Sequence, residues 1–251
     1  MNRRIVVNVS TGGYTWGAER LRSAVNHQGA GAECMFWLNS LPATCPPHSV
    51  SPYAFKAYAL REAADQEEHC SILWIDASIY PIRNMAPLWQ KIEVDGYYLC
   101  NNGWVNGQWT ADSAYEDLDI SREDNWKIKH CVAGVIGLDT RHAVATSFLE
   151  EYYRLSRTKA FVGPTWNSNF QRKTEPGVIE YPYRGWMRSG PCGPPDVMGH
   201  RHDQTAASVI AWKLGMELTD APAYFAYKTE QPPDPRTILY AVGPDGNTEV
   251  H

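Results

Sequence analysis

The chain has 251 residues, 43% of them hydrophobic and 20% charged, which is typical of a globular protein with enough chain to bury a core. Its 23 basic and 28 acidic residues give a formal net charge of −5. This balance excludes a global electrostatic attraction to nucleic acid or to anionic membranes, although it leaves room for a local basic groove.

The cysteines and the apolar runs indicate the cellular compartment. None of the 6 cysteines belongs to a C-x-x-C pair, which excludes the common zinc-ribbon and thioredoxin patterns. Residues 1–8 become polar too soon for a signal peptide, and no apolar run approaches the roughly 18 residues of a membrane span. We therefore expect a cytoplasmic protein with reduced thiols and no membrane partner.

The first predicted strand covers residues 5–9 and is rich in β-branched side chains. It is followed by Ser10, Thr11 and Gly12, small residues that let a backbone approach a ligand closely. The segment matches neither G-x-x-x-x-G-K-S/T nor G-x-G-x-x-G, so its signal for a phosphate loop is weak.

Two aromatic rings follow this loop, Tyr14 and Trp16, and either could stack on a base. A second strand is predicted over residues 34–38. The proline-rich stretch over residues 41–52 then predicts an irregular loop, because prolines interrupt regular structure.

Ser51 and Pro52 predict the start of a helix over residues 53–68, as its N-cap and its first helical residue. Lys56 lies in the first turn of this helix, where a cation opposes the helix dipole. Two interpretations follow, a solvated lysine or a lysine placed beside a bound anion.

The apolar run over residues 72–75 predicts a strand that is buried on both faces. It leads directly into Asp76 and completes a β-α-β unit. Ligands of open α/β sheets bind just beyond the carboxyl ends of the strands, which favours a binding role for Asp76. The alternative is an aspartate that caps a turn or a helix.

A short helix over residues 84–91 and a strand over residues 96–100 are predicted next. Residues 101–125 alternate glycine, tryptophan, asparagine and aspartate, which predicts an exposed functional loop. Residues 132–138 predict a further buried strand, whose glycines suit the close approach of a ligand or a backbone. Thr140 is the predicted cap of the helix that follows.

Residues 158–199 show no clear periodicity, which in a compact domain indicates a lid, an acceptor-binding region or disorder. Their aromatic content argues against disorder. The basic residues in and beside this region are the candidate for a nucleic-acid groove, or they are simply solvated loop cations. They are Arg154, Arg157, Lys159, Arg172, Lys173, Arg184 and Arg188.

The segment His200-Arg201-His202-Asp203-Gln204 predicts the start of another helix, with Asp203 as an N-cap or as a catalytic residue. Short strands are predicted over residues 223–227 and 238–242. The pattern of strands and helices is that of an α/β fold.

The order of four blocks resembles the GT-A nucleotide-sugar glycosyltransferases, in particular the glycogenin-like and bacterial galactosyltransferase branch. The blocks span residues 5 to about 215, and it is their order and spacing together that carry the resemblance. They are the first strand with Ser10-Thr11-Gly12, the helix at residues 54–60, the segment Leu73-Trp74-Ile75-Asp76-Ala77-Ser78, and Val132-Ala133-Gly134 with the later Asp203-Gln204.

The resemblance implies a single Rossmann-like GT-A domain over residues 1–251, with a mostly parallel central sheet flanked by helices and a long irregular acceptor-side region. Residues 1–100 would form its nucleotide-binding half, and residues 101–251 the half that meets the sugar and the acceptor.

The resemblance also implies a donor site for a nucleotide sugar, with UDP-sugars expected first. Its predicted residues are Ser10, Thr11, Gly12, Lys56, Asp76, Ala133 and Gly134. The catalytic pair beside the sugar would be Asp203 and Gln204. A Mn²⁺ or Mg²⁺ ion would be held by Asp76, Ser78 and His202.

Three departures from the family pattern concern the metal and the sugar. Ser78 stands where the family's D-x-D motif has its second acid, and Val132 stands where its N-A-G element has asparagine. The family's late histidine block, H-x-x-G-x-x-K-P-W, has no match. His200 or His202 could substitute as a ligand, since imidazole binds such metals.

Sugar transfer develops positive charge on the sugar and negative charge on the departing diphosphate. A divalent ion or a cation such as Lys56 would stabilise the diphosphate, and Asp203 or Gln204 the sugar. Glutamine cannot act as a general base, so the resemblance at Gln204 predicts retention of configuration; Asp203 acting as a base would instead permit inversion.

Two other functions are compatible with this pattern. A nucleotidyltransferase shares the α/β plan and an acidic site, but it usually has a cationic first loop, and residues 10–17 contain no cation. A catalytically silent sugar- or nucleotide-binding module would explain the missing second acid. For the glycosyltransferase itself, the acceptor could be a glycan, a protein, a small molecule or a modified DNA base.

Overall fold

A sheet of six strands lies at the centre of the protein, as seen in its computed structural model. The structure describes residues 2–66, 69–170, 172–175, 178–180, 189–229 and 233–242, with only the backbone described at 172–175 and 178–180. The described strands are β1 (Arg3–Ser10), β2 (Glu33–Leu38), β3 (Cys70–Ile75), β4 (Ile79–Pro81), β5 (Tyr97–Val105), β6 (Lys129–Asp139), β7 (Trp166–Asn167), β8 (Arg172–Glu175), β9 (Val178–Glu180), β10 (Ser189–Gly190), β11 (Thr219–Asp220), β12 (Tyr224–Tyr227) and β13 (Thr237–Ala241). The described helices are α1 (Thr15–Gln28), α2 (Ala54–Ala64), α3 (Ala86–Asp95), α4 (Tyr115–Leu118), α5 (Arg122–Asn125), α6 (Ala143–Leu155) and α7 (His202–Lys213), with short 3-10 segments at Gly12–Tyr14, Asn106–Trp109, Asp112–Ala114 and Lys159–Phe161.

The central sheet has the strand order β11-β5-β6-β3-β1-β2. β1 pairs in parallel with β2 and β3, and β11 pairs in parallel with β5, whereas β6 runs antiparallel to both β3 and β5. The sheet is therefore mostly parallel, as predicted, with β6 as the opposing strand. The carboxyl ends of β1, β3 and β5 lie at the same edge as the amino end of β6.

Helices cover both faces of this sheet. β3 is buried along its whole length; its residues Ile72 and Trp74 pack in one apolar cluster with side chains of α2, α6 and α7. Leu73 and Ile75 pack in the other cluster, with side chains of α1 and α3. The prediction of a strand buried on both faces is confirmed, and a three-layer α/β architecture follows.

A smaller sheet of β12, β13 and β4 lies beside the central one. It confirms the two strands predicted near the end of the chain, and it places β13 antiparallel to β4, which directly follows the turn after β3. All six cysteines are free. Among the described residues, no helix combines the length and the apolarity that crossing a membrane requires.

Two predicted helix starts are wrong because side chains bind elsewhere. α2 begins at Ala54, after the left-handed residue Tyr53, since the Ser51 hydroxyl donates to the carbonyl of Ser156 (2.7 Å) instead of capping the helix. Thr140 likewise does not cap α6. Its hydroxyl accepts from the backbone N–H of Cys70 (2.8 Å) and ties the end of β6 to the start of β3.

The prediction of an exposed loop over residues 101–125 is also wrong. β5 continues to Val105, and several polar side chains of the segment are buried. Asn106 Nδ2 donates to Asn125 Oδ1 (2.7 Å), and Asn125 Nδ2 donates to Thr110 Oγ1 (2.9 Å). Because these polar groups satisfy one another, the segment packs as part of the core despite its hydrophilic sequence.

The region over residues 158–199 is less irregular than predicted, since short strands β7 to β10 occur in it. Its residues Tyr181, Tyr183, Arg184, Trp186 and Arg188 lie outside the described residues.

Candidate active site

The carboxylate of Asp76 stands directly after β3, at the edge of the sheet where strands β1, β3 and β5 end. Its backbone N–H donates to the carbonyl of Gly134 on β6 (2.9 Å), and Trp74 Nε1 donates to its Oδ1 (2.7 Å). A Cβ atom on Gly134 would lie 3.2 Å from Asp76 Oδ2 and 3.0 Å from Ile79 Cδ1, so a glycine is what permits this approach. The Asp76 side chain keeps 34% of its surface exposed and can meet a ligand.

Lys56 lies in the first turn of α2 and is only 3% exposed. Its Nζ lies 3.0 Å from Asp76 Oδ1 and 2.9 Å from Asp203 Oδ2, and it donates to the carbonyl of Ala133 (2.9 Å). The contact with Asp203 is an ion pair between two buried side chains. The interpretation of Lys56 as a solvated lysine is therefore wrong; it is a buried cation between two carboxylates.

The charges in this cluster depend on one another. Burial favours the neutral form of Lys56, but the carboxylates of Asp203 and Asp76 outweigh burial and raise its pKa above the ordinary value. Burial raises the pKa of Asp203, while Lys56 acts in the opposite direction. With all three groups ionised, one ammonium between two carboxylates leaves a single net negative charge beside the exposed face of Asp76.

Asp203 and Gln204 are the second and third residues of α7. Asp203 is 2% exposed, and the residue at the N-cap position is Arg201, whose side chain makes no capping hydrogen bond. The interpretation of Asp203 as an N-cap is therefore wrong, since its side chain turns inward to Lys56. Gln204 is half-buried on the same turn.

Two residues with left-handed backbones stand where these helices begin. Tyr53 (φ +61°) precedes α2 and His202 (φ +43°) opens α7, and their ring centroids lie 5.6 Å apart. Residues other than glycine rarely adopt this backbone conformation, and such strain is concentrated at functional sites. A cleft of about 320 Å³ lies beside them; its lining residues are His48, Ser49, Pro52, Tyr53, Gly163, Thr165 and His202.

The predicted donor loop divides into a buried part and an exposed part. Ser10 is buried, and its hydroxyl donates to Asn8 Oδ1 (2.6 Å). Asn8 Nδ2 in turn donates to the carbonyl of Ile75 (2.7 Å), so Ser10 supports the β3 end rather than facing solvent. Thr11 and Gly12 are exposed, and Gly12 has a left-handed φ of +57°.

Helix α1, which follows this loop, lies against the residues after Asp76. A Cβ atom on Gly17 would come within 2.1 Å of the Ala77 carbonyl oxygen, so α1 approaches Ala77 closely because residue 17 is glycine. Arg20 donates to the same carbonyl (3.2 Å). Trp16 is 75% exposed and Tyr14 is also exposed. The loop, two free aromatic faces, a guanidinium and Asp76 therefore share one edge of the sheet.

Other partners contact Asp76 and His202, two of the three residues predicted to hold Mn²⁺ or Mg²⁺. The position between Asp76 and Asp203 is taken by Lys56. His202 Nδ1 is engaged with the carbonyl of Phe161 (3.0 Å), and Ser78 is a neutral ligand. Within the described part of the chain, no group of three or more histidine, cysteine, aspartate or glutamate side chains could hold a metal ion.

His200, the other histidine considered as a metal ligand, is part of the core. Its Nδ1 accepts from the backbone N–H of Ala111 (3.2 Å), and its Nε2 lies 3.0 Å from the carbonyl of Ala160. Burial and the neighbouring His202 lower its pKa to about 3. Both ring nitrogens are therefore engaged, and they hold the residues just before α7 against Ala111 and Ala160.

An aromatic cluster beside α7 was not predicted from the sequence. The Arg201 guanidinium lies 4.3 Å from the ring centroid of Trp109 and 5.2 Å from that of Trp166, and Trp109 packs edge-on against the exposed Trp104. These residues come from three distant segments, so no local pattern could have revealed them.

The candidate nucleic-acid groove stays a prediction. Arg154 is paired with Glu151 (2.6 Å), and Arg157 lies over the ring of Tyr153 (5.8 Å). The side chains of Arg172 and Lys173 are not described, and the remaining two arginines of the group lie outside the described residues.

Comparisons with known proteins return distant structural neighbours. No protein-family model and no curated protein matches the sequence. Apo mouse xyloside xylosyltransferase 1 is 9% identical, with 96% of this chain and 97% of that chain covered and a TM-score of 0.47. A glycosyltransferase involved in the glycosylation of the major capsid of PBCV-1 is 14% identical, with 62% and 68% covered and a TM-score of 0.38. The galactosyltransferase LgtC, in complex with donor and acceptor sugar analogues, is 13% identical, with 88% and 98% covered and a TM-score of 0.33.

Proposed function

We propose that the protein is a glycosyltransferase that moves a sugar from a nucleotide-sugar donor to an acceptor hydroxyl, with UDP-sugars as the first donors to test. The observation that carries the proposal is the Asp76–Lys56–Asp203 cluster at the carboxyl edge of the sheet. Sugar transfer needs negative charge beside the forming oxocarbenium ion and positive charge beside the leaving diphosphate. The exposed carboxylate of Asp76 offers the negative charge, and the guanidinium of Arg20, bonded to the carbonyl of Ala77, offers the positive charge.

The nucleotide is placed over the loop between β1 and α1. Thr11 and Gly12 are exposed there, and the open faces of Tyr14 and Trp16 suit the stacking of a base. Arg20, on the helix that follows this loop, donates to the carbonyl of Ala77, the residue next to Asp76. A guanidinium at that position supports the assignment of the diphosphate to the same edge.

The sugar is placed at the exposed face of Asp76, the carboxylate of the cluster that a ligand can reach. Gly134 leaves space above this carboxylate, and Ala133 contributes its carbonyl to Lys56. In this proposal Asp203 acts through Lys56, as a positioning residue, because it is 2% exposed. A general base must lie within hydrogen-bond reach of the acceptor hydroxyl, so a buried Asp203 favours retention of configuration.

In this proposal the acceptor enters through the cleft that Tyr53 and His202 line; the Tyr53 ring centroid lies 5.3 Å from Lys56 Nζ. Its aromatic lining suits flat or ring-shaped acceptors, either a glycan or a modified base.

The test is release of UDP from radiolabelled UDP-glucose, UDP-galactose and UDP-N-acetylglucosamine, first without an acceptor and then with candidate glycans. Asp76→Asn should lower the rate by about 100-fold or more, with an unchanged circular dichroism spectrum. Asp65→Asn is the matched control, since Asp65 is an exposed carboxylate paired with Arg61 on α2. Near-normal turnover by Asp76→Asn, or no UDP release from any donor, would contradict the proposal.

A further inference from the structure

We infer that Lys56 stands in place of a divalent metal ion in this site, so that a nucleotide sugar binds without Mn²⁺ or Mg²⁺. The inference rests on the proposed function for its choice of ligand. It differs from the expectation raised by the sequence resemblance, which implied a metal held by Asp76, Ser78 and His202.

The first argument is the position of the lysine nitrogen. Lys56 Nζ lies within 3.0 Å of one oxygen of Asp76 and 2.9 Å of one oxygen of Asp203. A divalent ion that bridged the same oxygens would have to share this position with the ammonium. Two cations in a site with so little access to water would repel strongly, because the screening by solvent is weak there.

The second argument is the set of oxygen and nitrogen ligands that remains. Mg²⁺ and Mn²⁺ prefer octahedral oxygen-rich sites, usually with one or two carboxylates that are free to coordinate. Asp76 Oδ1 already accepts from Trp74 (2.7 Å) and contacts Lys56, and Ser78 brings no charge. No third carboxylate, cysteine or histidine joins them among the residues that the structure describes.

The third argument is charge. Lys56 cancels one of the two negative charges of Asp76 and Asp203, so the cluster carries one net negative charge instead of two and attracts a dissolved divalent cation less strongly. The lysine is fixed by α2 and by the carbonyl of Ala133 (2.9 Å), so its charge needs no dissolved ion. Helix α2 thus supplies a permanent cation at a position where a metal-dependent site would bind an ion from solution.

The first experiment measures UDP binding to the wild-type protein by calorimetry, once with Mn²⁺ and once with EDTA. The inference predicts dissociation constants that agree within about threefold. Weakening by about tenfold or more in EDTA would overturn it. This measurement needs no variant, so a failure of any variant to fold leaves it decisive.

The second experiment titrates Mn²⁺ into the protein without nucleotide and follows binding by electron paramagnetic resonance. Lys56→Ala frees the two carboxylates, and we expect it to bind Mn²⁺ at least about tenfold more tightly than the wild type. Lys127→Ala is the matched control, since Lys127 also contacts two carboxylates, Glu123 (3.1 Å) and Asp124 (3.0 Å), but is exposed in the turn after α5. A folded Lys56→Ala protein without this gain would overturn the inference.

The two proposals fail in different ways. If UDP and the nucleotide sugars bind neither with Mn²⁺ nor with EDTA, the proposed function falls, and the Mn²⁺ titration alone judges the role of Lys56. A stoichiometric Mn²⁺ site in the wild type that disappears in Asp76→Asn would then overturn the inference about the lysine.

Discussion

Lys56 and Asp203 form an ion pair of 2.9 Å in which both side chains are almost fully buried. The two residues belong to helices α2 and α7, which begin on neighbouring strained residues, Tyr53 and His202. A buried pair costs more to break than to replace, since removing one partner leaves the other charge unpaired in the interior. The pair therefore links the geometry of the site to the stability of the fold.

This link predicts a non-additive effect on stability. Lys56→Met should lower the free energy of unfolding by about 3 kcal/mol, because it leaves Asp203 buried without its cation. Combined with Asp203→Leu, which removes that carboxylate, the double variant should lose less than the sum of the two single losses. Urea unfolding of the wild type and of the three variants measures the coupling, and strictly additive losses would show that the pair does not act as a unit.

Gly134 is predicted to control the position of Asp76. In Gly134→Ala the new Cβ atom would press on Asp76 Oδ2 at 3.2 Å and on Ile79 at 3.0 Å, which displaces the carboxylate. We expect sugar transfer to fall by about 10- to 100-fold, since small displacements of a reacting group have effects of this size. Gly190→Ala is the control, because its Cβ atom would make an ordinary 3.4 Å contact with Pro164. Equal activities of the two variants would contradict the role of Gly134.

The position of Asp76 could be predicted from sequence because it follows from local information. A continuous apolar run predicts a strand buried on both faces, and a polar residue at its carboxyl end falls at the ligand-binding edge of the sheet. The contact between Lys56 and Asp203 could not be predicted in the same way. It depends on how α2 and α7 pack over β3 and β6, and no local pattern contains that information.

The errors in the prediction share a physical cause. The residue types of Ser51 and Thr140 predict helix caps, but tertiary partners bind their hydroxyls instead. The polar sequence around Asn106 and Asn125 predicts an exposed loop, although the two side chains satisfy each other in the interior. Helix α1 had no predicted counterpart; the spacing of Leu21 and Val25, both buried, is the signal that could have revealed it.

The protein is predicted to become less stable as the pH falls, because of His130. This histidine is buried on β6 beside Asn102, whose Nδ2 lies 2.6 Å from its Nδ1. Burial, and then the charge of Arg201, lower its pKa to about 3 from the usual 6.5. The folded protein therefore holds the neutral ring, while the unfolded chain takes up a proton below pH 6.5. The stabilisation is present above about pH 6.5 and is lost as the pH falls towards about 3.

The slope of that loss can be measured. His130 should contribute about 1.4 kcal/mol per pH unit to the fall in unfolding free energy between pH 6 and pH 4. His130→Gln, which keeps a hydrogen-bond acceptor for Asn102, should remove that part of the slope. His27→Gln is the control, because His27 is exposed. A slope that His130→Gln leaves unchanged would show that the ring is not held neutral by the fold.

Trp16 is predicted to bind the base of the donor. It is 75% exposed and follows the loop after β1, so its ring is available to a ligand but contributes little to the core. Stacking of a base on an aromatic side chain is worth about 1–3 kcal/mol, and Trp16→Ala should therefore weaken UDP binding by roughly 5- to 150-fold. The unfolding free energy should change little.

Trp212→Ala removes another exposed tryptophan, on the distant end of α7, and should leave UDP affinity intact. If calorimetry finds the same affinity for Trp16→Ala and Trp212→Ala, the base lies elsewhere on the sheet edge, and Tyr14 becomes the remaining ring of that loop to test.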